Sequence, residues 1–289
     1  MPDAAIIIPH YNDTERLLRC LAVLMPSVSA CEADIEVVVV DNASTQSLEP
    51  VRAVYPDLRI LTEPEKGAAA ARNRGARETT APYLFFLDAD CVPYPDWVET
   101  ALRVKSRADV VGGQVSVFDE TPGPRSGAEA FETVFAFDNR SYIEKKGFSG
   151  TGNLLTRRDV FEAVGDFRPG MSEDMDWGDR VKAKGFTMVY EHALHVEHPT
   201  RSTWQALRHK WRRINAENFG LIDGGPASRL KWSLRGVAML PSILVHGLRI
   251  LRTPRLRGAR EKAVAIGTLA RLRILRCGWM LRQAITGRV

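Results

Sequence analysis

The sequence predicts an α/β fold, in which a mostly parallel sheet is flanked by helices, followed by a C-terminal extension of amphipathic helices. Short apolar runs alternate with longer segments of helical periodicity over the first 120 residues, which is typical of βαβ units. After residue 199 the pattern changes to long basic helices. We therefore predict an α/β domain over residues 1–200 and an amphipathic helical extension over residues 201–289.

The predicted strands are rich in Val, Ile, Leu and Phe, the composition of strands that are buried on both faces of a parallel sheet. In chain order they are Ala4–Ile8, Ile35–Val40, Leu58–Leu61, Tyr83–Leu87, Asp109–Val117, Phe148–Leu155 and Leu194–Glu197. Helical periodicity or composition predicts the helices between them. They are Asp13–Met25, Lys66–Glu78, Phe131–Tyr142 and a helix that begins at Glu173.

Charge is divided unevenly along the chain, whose formal net charge is +5. Residues 1–199 hold 21 Lys and Arg against 32 Asp and Glu, a net of −11, and the last 90 residues hold 19 against 3, a net of +16. Such asymmetry indicates a globular body joined to a segment that meets a polyanion, either nucleic acid or an anionic membrane. The hydrophobic content of 45% excludes a disordered or collagen-like chain.

The four cysteines are irregularly spaced and form no CxxC pair, so neither a disulfide framework nor a zinc site is predicted. The N-terminal sequence has no basic segment of the signal-peptide type. The longest apolar stretch, Gly236–Leu248, is bracketed by arginines and is too short to span a bilayer. We expect a cytoplasmic protein that lies on a membrane at most, peripheral on the inner face of the cell membrane.

Polar residues follow the predicted strands at the edge where the carboxyl ends of parallel strands meet, which is where such sheets bind ligands. They lie in Pro9–Asn12, Asp41–Ser44 and Asp88–Asp90. Each segment alone is equally well explained as a helix cap or a turn. The pair Asp88 and Asp90 places two carboxylates one residue apart, an arrangement that favours a hard cation such as Mg²⁺ or Mn²⁺.

Three further features have two interpretations each. Glu173 and Asp174 open a helix, where a carboxylate stabilises the helix dipole or serves as a general base. Lys66 and Arg72 flank an alanine run, and they are either cations that bind phosphate or part of a solvated helix face. His198 follows a predicted strand, and it is either a structural residue or a metal ligand.

Six motifs occur in one order along residues 3–200: IIIPHYN, VVVVDNAS, EKGAAAARNRGA, FLDADC, GTGNLL and SEDMDWGDR. Together they resemble the family 2 glycosyltransferases, which are inverting sugar transferases with the GT-A fold. The resemblance implies a nucleotide-diphospho-sugar donor, most commonly a UDP-sugar. It also implies a divalent metal, Mg²⁺ or Mn²⁺. It also implies a glycan or lipid-linked acceptor and direct displacement without a covalent intermediate.

The resemblance implies a role for each matching residue. Asp174 is the catalytic base, and Asp90 is the direct metal ligand, with His198 beside the metal or the diphosphate. Sugar and acceptor contacts match the acidic pair and the glycine-rich segment, namely Glu173, Gly150, Gly152 and Asn153. Residues around the nucleotide match the first four motifs, namely Pro9, Tyr11, Asn12, Asp41, Lys66, Arg72 and Asp88.

The basic extension carries Trp204 and Trp211 on one helical face among cations, which favours a membrane headgroup interface. A helical cap packed on the acidic body is the alternative. Gln205–His209 partly matches the Q-x-x-R-W signature of processive polysaccharide synthases, with Arg208, Lys210, Arg212 and Arg213 as candidate phosphate contacts. We favour a single addition to a membrane-associated acceptor, such as a lipid-linked saccharide, lipopolysaccharide or glycerolipid.

Two other functions remain as alternatives. A nucleotidyltransferase that makes the nucleotide sugar shares a related fold, but would carry a glycine-rich basic loop after the first strand, where this chain has Pro9–Asn12. Nucleic-acid binding by the extension is not expected, because its apolar content is high and no base-recognition module is present.

Overall fold

The computed structural model describes residues 1–287 and divides into two compact units. The sheet unit contains residues 1–116, 138–169 and 173–198, and the helical unit contains residues 117–137, 170–172 and the described residues from 199 onward. The division at residue 200 into two domains stays a prediction, and its last two residues, 288 and 289, lie outside the described part. Residues 117–137 fall in the helical unit because their apolar side packs against later helices.

The strands of the described chain are these: β1 (Ala4–His10), β2 (Ile35–Asp41), β3 (Arg59–Thr62), β4 (Tyr83–Leu87), β5 (Val92–Pro93), β6 (Val110–Phe118), β7 (Asn153–Arg157) and β8 (Met188–Pro199). Across residues 1–287 they form an eight-stranded mixed sheet of order β3-β2-β1-β4-β7-β6-β8-β5. Strands β1 to β4 pair in parallel, whereas β7 is antiparallel to both β4 and β6. The prediction of an α/β fold is therefore confirmed.

Two predicted strands begin at other residues in the structure. The strand predicted over Phe148–Leu155 begins only at Asn153, because the glycine-rich residues before it form a turn. The strand predicted over Leu194–Glu197 is longer, since β8 begins at Met188.

The helices of the described chain are these: α1 (Thr14–Ser29), α2 (Glu49–Val54), α3 (Ala68–Glu78), α4 (Trp97–Val104), α5 (Gly127–Phe135), α6 (Asn139–Ser141), α7 (Arg158–Val164), α8 (Glu173–Ala183), α9 (Trp204–Gly220), α10 (Pro226–Ala238), α11 (Ser242–Arg252) and α12 (Gly258–Thr286). The prediction of one helix over Phe131–Tyr142 is wrong. Helix α5 ends at Phe135, and Asp138 caps a new turn that continues as a π-helix over Tyr142–Lys146. The side chain of Asp138 accepts from the Ser141 N–H, which satisfies the new helix start.

The core of the sheet unit forms where α3, α7 and α8 cover the sheet. Phe86 of β4 contacts both Phe161 and Phe167, with ring centroids 5.7 and 5.3 Å apart. Gly75 of α3 lies so close to β1 that a Cβ there would come within 2.4 Å of the Ile7 side chain. This close packing fixes α3, and with it Arg72, against the carboxyl ends of the parallel strands.

The helical unit has its own core, formed by α5, α9, α11 and α12. Trp204 and Trp211 pack against this core, beneath the guanidinium groups of Arg271 and Arg276, whose Cζ atoms lie 4.0 and 4.3 Å from the ring centroids. Both tryptophans are half-buried, so the expectation that they form a headgroup interface stays a prediction. Their period of seven places them on one face of α9, and in the fold that face packs against the core.

Lys210 is also turned inward. Its Nζ donates to Glu132 Oε1 at 2.6 Å, and both side chains are at most a tenth exposed. Burial lowers the pKa of Lys210 to about 8, although Glu132 opposes that change. The interpretation of Lys210 as a phosphate contact is therefore replaced by a structural ion pair within the helical unit.

Candidate active site

The ends of β1 and β2 are joined by a buried histidine. His10 Nδ1 lies 3.1 Å from Asp41 Oδ1, and the Asp13 N–H donates to His10 Nε2 at 3.2 Å. Asn12 has a positive φ of 49°, and its side-chain oxygen accepts from the Thr45 N–H at 2.7 Å. The loops after the first two strands are thus held together, with Asp41 partly exposed at their junction.

Another buried amide shapes the path into α3. Asn42 Nδ2 donates to the carbonyl oxygens of Glu63 and Glu65, and Asn42 Oδ1 accepts from the Gly67 N–H at 2.7 Å. Gly67 has a φ of 131°, which favours glycine at this turn. The polar residues after β2 therefore fix the N-terminus of α3, while the neighbouring Lys66 is exposed.

Arg72 lies at the centre of the site. Its side chain is 4% exposed and forms ion pairs with Glu173 and with Asp88, the latter with Nη2 2.5 Å from Oδ1. Burial alone lowers the pKa of Arg72, but Asp88, Glu173 and Asp174 outweigh burial and raise it above its usual value. Arg72 therefore holds together carboxylates that are 16 and 101 residues away in the sequence.

Asp174 follows Glu173 in the first turn of α8. Its Oδ1 accepts a hydrogen bond from the Thr151 N–H at 3.0 Å. Burial, and then the charge of Glu173, raise the pKa of Asp174 to about 6, against opposing contributions from Arg72 and from the Thr151 hydrogen bond. A carboxylate with this pKa is ionised at neutral pH, yet is more basic than an exposed aspartate.

Asp90 and His198 form a second polar pair. The Asp90 Oδ2 and His198 Nε2 atoms are 3.1 Å apart, and their side chains are 33% and 11% exposed. Cys91 lies next in the chain, but burial, followed by the charges of Asp90 and Asp88, raises the pKa of its thiol well above the usual value. Asp90 and His198 are therefore the available metal donors at this point, and the thiol is not one.

The donor set fits a hard divalent cation that shares its coordination with substrate. Within residues 1–287 no group of three His, Cys, Asp or Glu side chains is arranged to hold a metal ion by itself. Mg²⁺ commonly takes one or two protein carboxylates and completes its coordination with phosphate oxygens and water. A carboxylate with an imidazole beside it meets that requirement, and Mn²⁺ accepts the same ligands.

The glycine-rich segment before β7 plays two parts. A Cβ at Gly152 would come within 2.4 Å of Asp88 Oδ2, and the Gly152 carbonyl oxygen accepts from the Asp88 N–H at 3.2 Å. Glycine at position 152 therefore lets the first aspartate of the D-x-D pair pack against the backbone. Gly150 has open space where a side chain would lie.

Asn153 is placed differently from the sequence-based expectation. Its side chain is fully buried, donates to the carbonyl oxygens of Leu194 and Gln114, and accepts from Trp97 Nε1 at 3.0 Å. All its polar atoms are thus occupied by protein partners. This corrects the assignment of Asn153 as a sugar contact, because a sugar could not reach its amide in this structure.

The structure thus brings five of the fourteen candidate residues into two contact groups. Arg72 unites Asp88 and Glu173, and Asp90 pairs with His198. The nucleotide candidates at the end of β1 are more open: Pro9 is half-buried, and Tyr11 is 51% exposed.

Three residues that support the site, His10, Asn42 and Thr151, were not among the predicted site residues. His10 and Asn42 lie inside quoted motifs, and their position directly after apolar strands was a usable signal. Thr151 acts through its backbone N–H, for which the side-chain pattern offers no signal.

Comparisons of the chain with known proteins identify its family. The model of the family described as "Glycosyl transferase family 2" matches residues 5–165. Glycosyltransferase AglE of Haloferax volcanii is 31% identical over 221 residues, which cover 73% of this chain and 72% of that protein. Validoxylamine A glucosyltransferase of Streptomyces hygroscopicus subsp. jinggangensis is 36% identical over 287 residues, covering 86% of this chain and 68% of that protein.

Two solved structures share the fold. The mannosyltransferase PcManGT from Pyrobaculum calidifontis, solved in complex with GDP-Man and Mn²⁺, has a TM-score of 0.57 at 16% identity and covers all of this chain and 76% of its own. The TarS fragment 1–349 from S. aureus has a TM-score of 0.51 at 13% identity, covering 99% of this chain and 92% of its own. With the family model and the curated relatives, these findings show that the chain belongs to glycosyl transferase family 2 and is a glycosyltransferase with the GT-A fold.

Proposed function

We propose that this glycosyltransferase is an inverting, metal-dependent enzyme that moves one sugar from a nucleotide-diphospho-sugar to a hydroxyl group of a membrane-associated acceptor. The observation that carries the proposal is Asp174, a carboxylate held by the Thr151 N–H with its pKa raised to about 6. It has the basicity and position expected of a general base in a site that also contains cation-binding carboxylates.

Asp174 takes the proton from the acceptor hydroxyl as that oxygen attacks the anomeric carbon and the bond to the diphosphate breaks. One displacement of this kind inverts the anomeric configuration and needs no second, nucleophilic carboxylate. Glu173 is occupied by Arg72, which supports the assignment of the base to Asp174. The ion pair also holds the start of α8, so that the two neighbouring carboxylates have different roles.

The donor nucleotide binds at the carboxyl ends of β1 and β2. Half-buried Pro9 and exposed Tyr11 pack around the base, Asn12 holds the adjoining loop, and Asp41 faces the base or ribose. Arg72, Asp88 and exposed Lys66 lie further along the same edge, toward the ribose and the diphosphate. A UDP-sugar is the proposed donor, although the structural neighbour PcManGT was solved with GDP-Man.

Asp90 and His198 would hold the divalent cation, Mg²⁺ or Mn²⁺, together with the donor diphosphate. When bound, the cation would offset the negative charge that develops on the leaving diphosphate. The protein's own contribution is to keep Asp90 partly exposed and Cys91 protonated, because burial and the nearby aspartates raise the pKa of that thiol.

The proposed acceptor is a lipid-linked saccharide, lipopolysaccharide or glycerolipid, and the proposed location is the cytoplasmic face of the cell membrane. The excess of cations after residue 199 supports this choice, because an anionic leaflet attracts such a segment. Gly150 has open space where a side chain would lie, and Gly152 packs against Asp88. We place donor-sugar or acceptor contacts along this segment and beside Glu173.

A panel of UDP-, GDP- and dTDP-sugars tests the proposal. We expect slow hydrolysis of one nucleotide sugar in the presence of Mg²⁺ or Mn²⁺, faster turnover when lipid extract supplies the acceptor, and loss of both with a chelator. The anomeric configuration of the product, measured by NMR, tests inversion separately. Absence of nucleotide-sugar binding with either metal would contradict the proposed donor, and retention of configuration would contradict the role of Asp174.

A further inference from the structure

Exposed apolar side chains are concentrated in one part of the helical unit. Of the fourteen large hydrophobic side chains that are exposed in the described chain, ten lie between residues 230 and 285. Leu244 is 76% exposed, Val245 66% and Leu230 61%. Scattered exposed hydrophobics are normal on a soluble protein, but such a concentration marks an interaction surface.

These side chains have helical spacing on α10 and α11. Leu230, Leu234 and Val237 recur on one face of α10, and Leu244 and Leu248 do so on α11. We call this surface, formed by residues 230, 234, 237, 244, 245, 248 and 251, the apolar face. Spacing of three and four residues places it on a continuous stripe of each helix.

The opposite sides of the same helices are packed against protein. Trp232 and Gly236 of α10 are buried, and a Cβ at Gly236 would come within 3.0 Å of the Met280 Cβ on α12. Gly247 and Ile250 of α11 are buried as well. Each helix therefore has one satisfied side and one unpartnered apolar side, which is the pattern of a helix that lies at an interface.

The lengths of α10 and α11 indicate whether these helices would span a bilayer or lie in its plane. In the described chain no single helix is long and apolar enough to cross a membrane, although α10 and α11 pass that test together as a pair bent by 47°. Their 13 and 11 residues correspond to about 20 and 16 Å, against a hydrocarbon core of about 30 Å. Since both helices also keep one side on the protein, an in-plane position fits them better than a spanning one.

The charge around the apolar face selects the partner. Residues 226–287 contain 13 Lys and Arg and one acidic residue, Glu261, which accepts from Arg125. Arg249 and Arg252 are exposed at the end of α11. Lys231 and Arg235 are exposed on α10. Cations that border an apolar surface match the phosphates and acyl chains of an anionic leaflet, whereas a second copy would bring like charges together.

We propose that the apolar face of α10 and α11 is the membrane-docking surface, inserted in the plane of one leaflet that contains anionic phospholipid. Its leucines and valines enter the acyl boundary, and the bordering arginines bind the lipid phosphates. The inference deepens the membrane-associated acceptor of the proposed function and rests on it for its biological role. It assigns attachment to α10 and α11, and not to the tryptophans of α9.

Vesicle flotation of the full chain tests the docking surface without donor, metal or acceptor. We expect binding to phosphatidylcholine vesicles that contain phosphatidylglycerol, and weak binding to phosphatidylcholine alone. Leu244→Ser combined with Leu248→Ser should weaken binding by about a hundredfold, because each buried leucine is worth about the equivalent of tenfold in partition. Val54→Ser is the matched control, since Val54 is 58% exposed in the sheet unit.

Insertion is measured directly with an environment-sensitive dye on Leu244→Cys, compared with Val54→Cys, both in a Cys31→Ser background. Quenching by acyl-chain spin labels should be strong at position 244 and absent at position 54. Equal quenching at the two positions, or unchanged vesicle binding by the double serine variant, would overturn the proposal. So would a wild-type chain that stays off vesicles and instead forms a dimer that the serine substitutions dissolve.

Circular dichroism and thermal unfolding establish that the serine variants are folded. Nucleotide-sugar hydrolysis in solution, measured on the same preparations, keeps the two proposals apart. A variant that hydrolyses the donor normally but leaves the vesicles affects docking alone. Wild-type chain that binds vesicles but hydrolyses no nucleotide sugar contradicts the proposed chemistry and leaves the docking surface in place.

Discussion

Arg72 in the sheet unit and Arg276 in the helical unit are both buried, but they lie in different electrostatic surroundings. Arg72 forms ion pairs with Asp88 and Glu173. Arg276 stacks on Trp211 at 4.3 Å and has no carboxylate within ion-pair distance among residues 1–287. Burial lowers the pKa of Arg276 to about 9, with further lowering by nearby arginines.

The difference shows where each unit keeps its uncompensated charge. One buried guanidinium faces three carboxylates in the sheet unit, so negative charge is left over beside Asp90, where a divalent cation would offset it. In the helical unit the surplus is positive, which suits an anionic surface. The charge asymmetry of the sequence is thus present inside the fold and not only on its surface.

The largest expected effect is on kcat, and it follows from removing one carboxylate of the sheet unit. Asp174→Asn removes the proposed base and keeps the shape of the side chain, so kcat for transfer should fall by about 10² to 10⁴. Donor affinity, measured by calorimetry with Mn²⁺, should change little. Asp179→Asn is the control, because Asp179 is exposed on the same helix. Equal activity of the two variants would remove Asp174 from the mechanism.

The second prediction concerns the cation among those carboxylates. Arg72→Met leaves Asp88 and Glu173 without their partner, so the free energy of unfolding should fall by about 3 to 5 kcal/mol. Urea denaturation at neutral pH measures it. Arg77→Met breaks a surface pair with Asp166, whose side chains are about half exposed, and should cost less than about 1 kcal/mol. Similar losses in the two variants would mean that Arg72 is not an electrostatic centre.

The third prediction is a pH profile. Because the pKa of Asp174 is raised to about 6 and the base acts when deprotonated, kcat/KM should rise with pH and reach half its plateau near pH 6. One pH unit below that point, kcat/KM should be about a tenth of its plateau. Arg72 lowers the pKa of Asp174, so a folded Arg72→Gln variant should move the midpoint upward. A midpoint near 4 would indicate an exposed, unperturbed carboxylate.

The sequence predicted seven of the eight strands in the described chain, all but the two-residue β5, and much of the site, because both depend on local patterns. Apolar runs mark buried strands, and polar residues that follow them must meet at one edge. Residue chemistry named Arg72 and Glu173 separately, and the family resemblance assigned both to one site; they lie 101 residues apart and touch in the structure. No local pattern could have related these two positions.

The sequence could not predict which of these side chains are buried. Asn153 lies in a glycine-rich motif that suggests ligand contact, yet its amide is enclosed by Trp97 and two carbonyl oxygens. Trp204 and Trp211 share a helix face, but periodicity cannot say whether that face meets lipid or the core. The outcome depends on α5 and α12, which are far away in the chain.

The smallest expected effect belongs to Arg276, and it completes the comparison with Arg72. In the variant Arg276→Met, the methionine side chain can keep the contact with Trp211. Removing the charge of Arg276 leaves no carboxylate unpaired. The lost cation–π contact, worth about 0.5 to 2 kcal/mol, opposes the relief of burying a charge. Arg276→Met should therefore lower the free energy of unfolding by no more than about 1 kcal/mol at neutral pH, and raise it where the relief of the buried charge exceeds the lost contact.

The pH dependence of that difference gives a sharper test. The lowered pKa of Arg276, about 9, means that between pH 9 and the usual pKa of arginine the unfolded chain binds the proton more tightly than the folded chain. Wild-type stability should therefore gain over that of Arg276→Met as pH rises through this window, since the variant lacks the titrating group. Urea denaturation of both proteins at pH 8 and pH 10 measures the gain. A loss of about 3 kcal/mol or more at neutral pH would instead place Arg276 in the same class as Arg72, as a cation that its surroundings stabilise, and the contrast between the two units would fail.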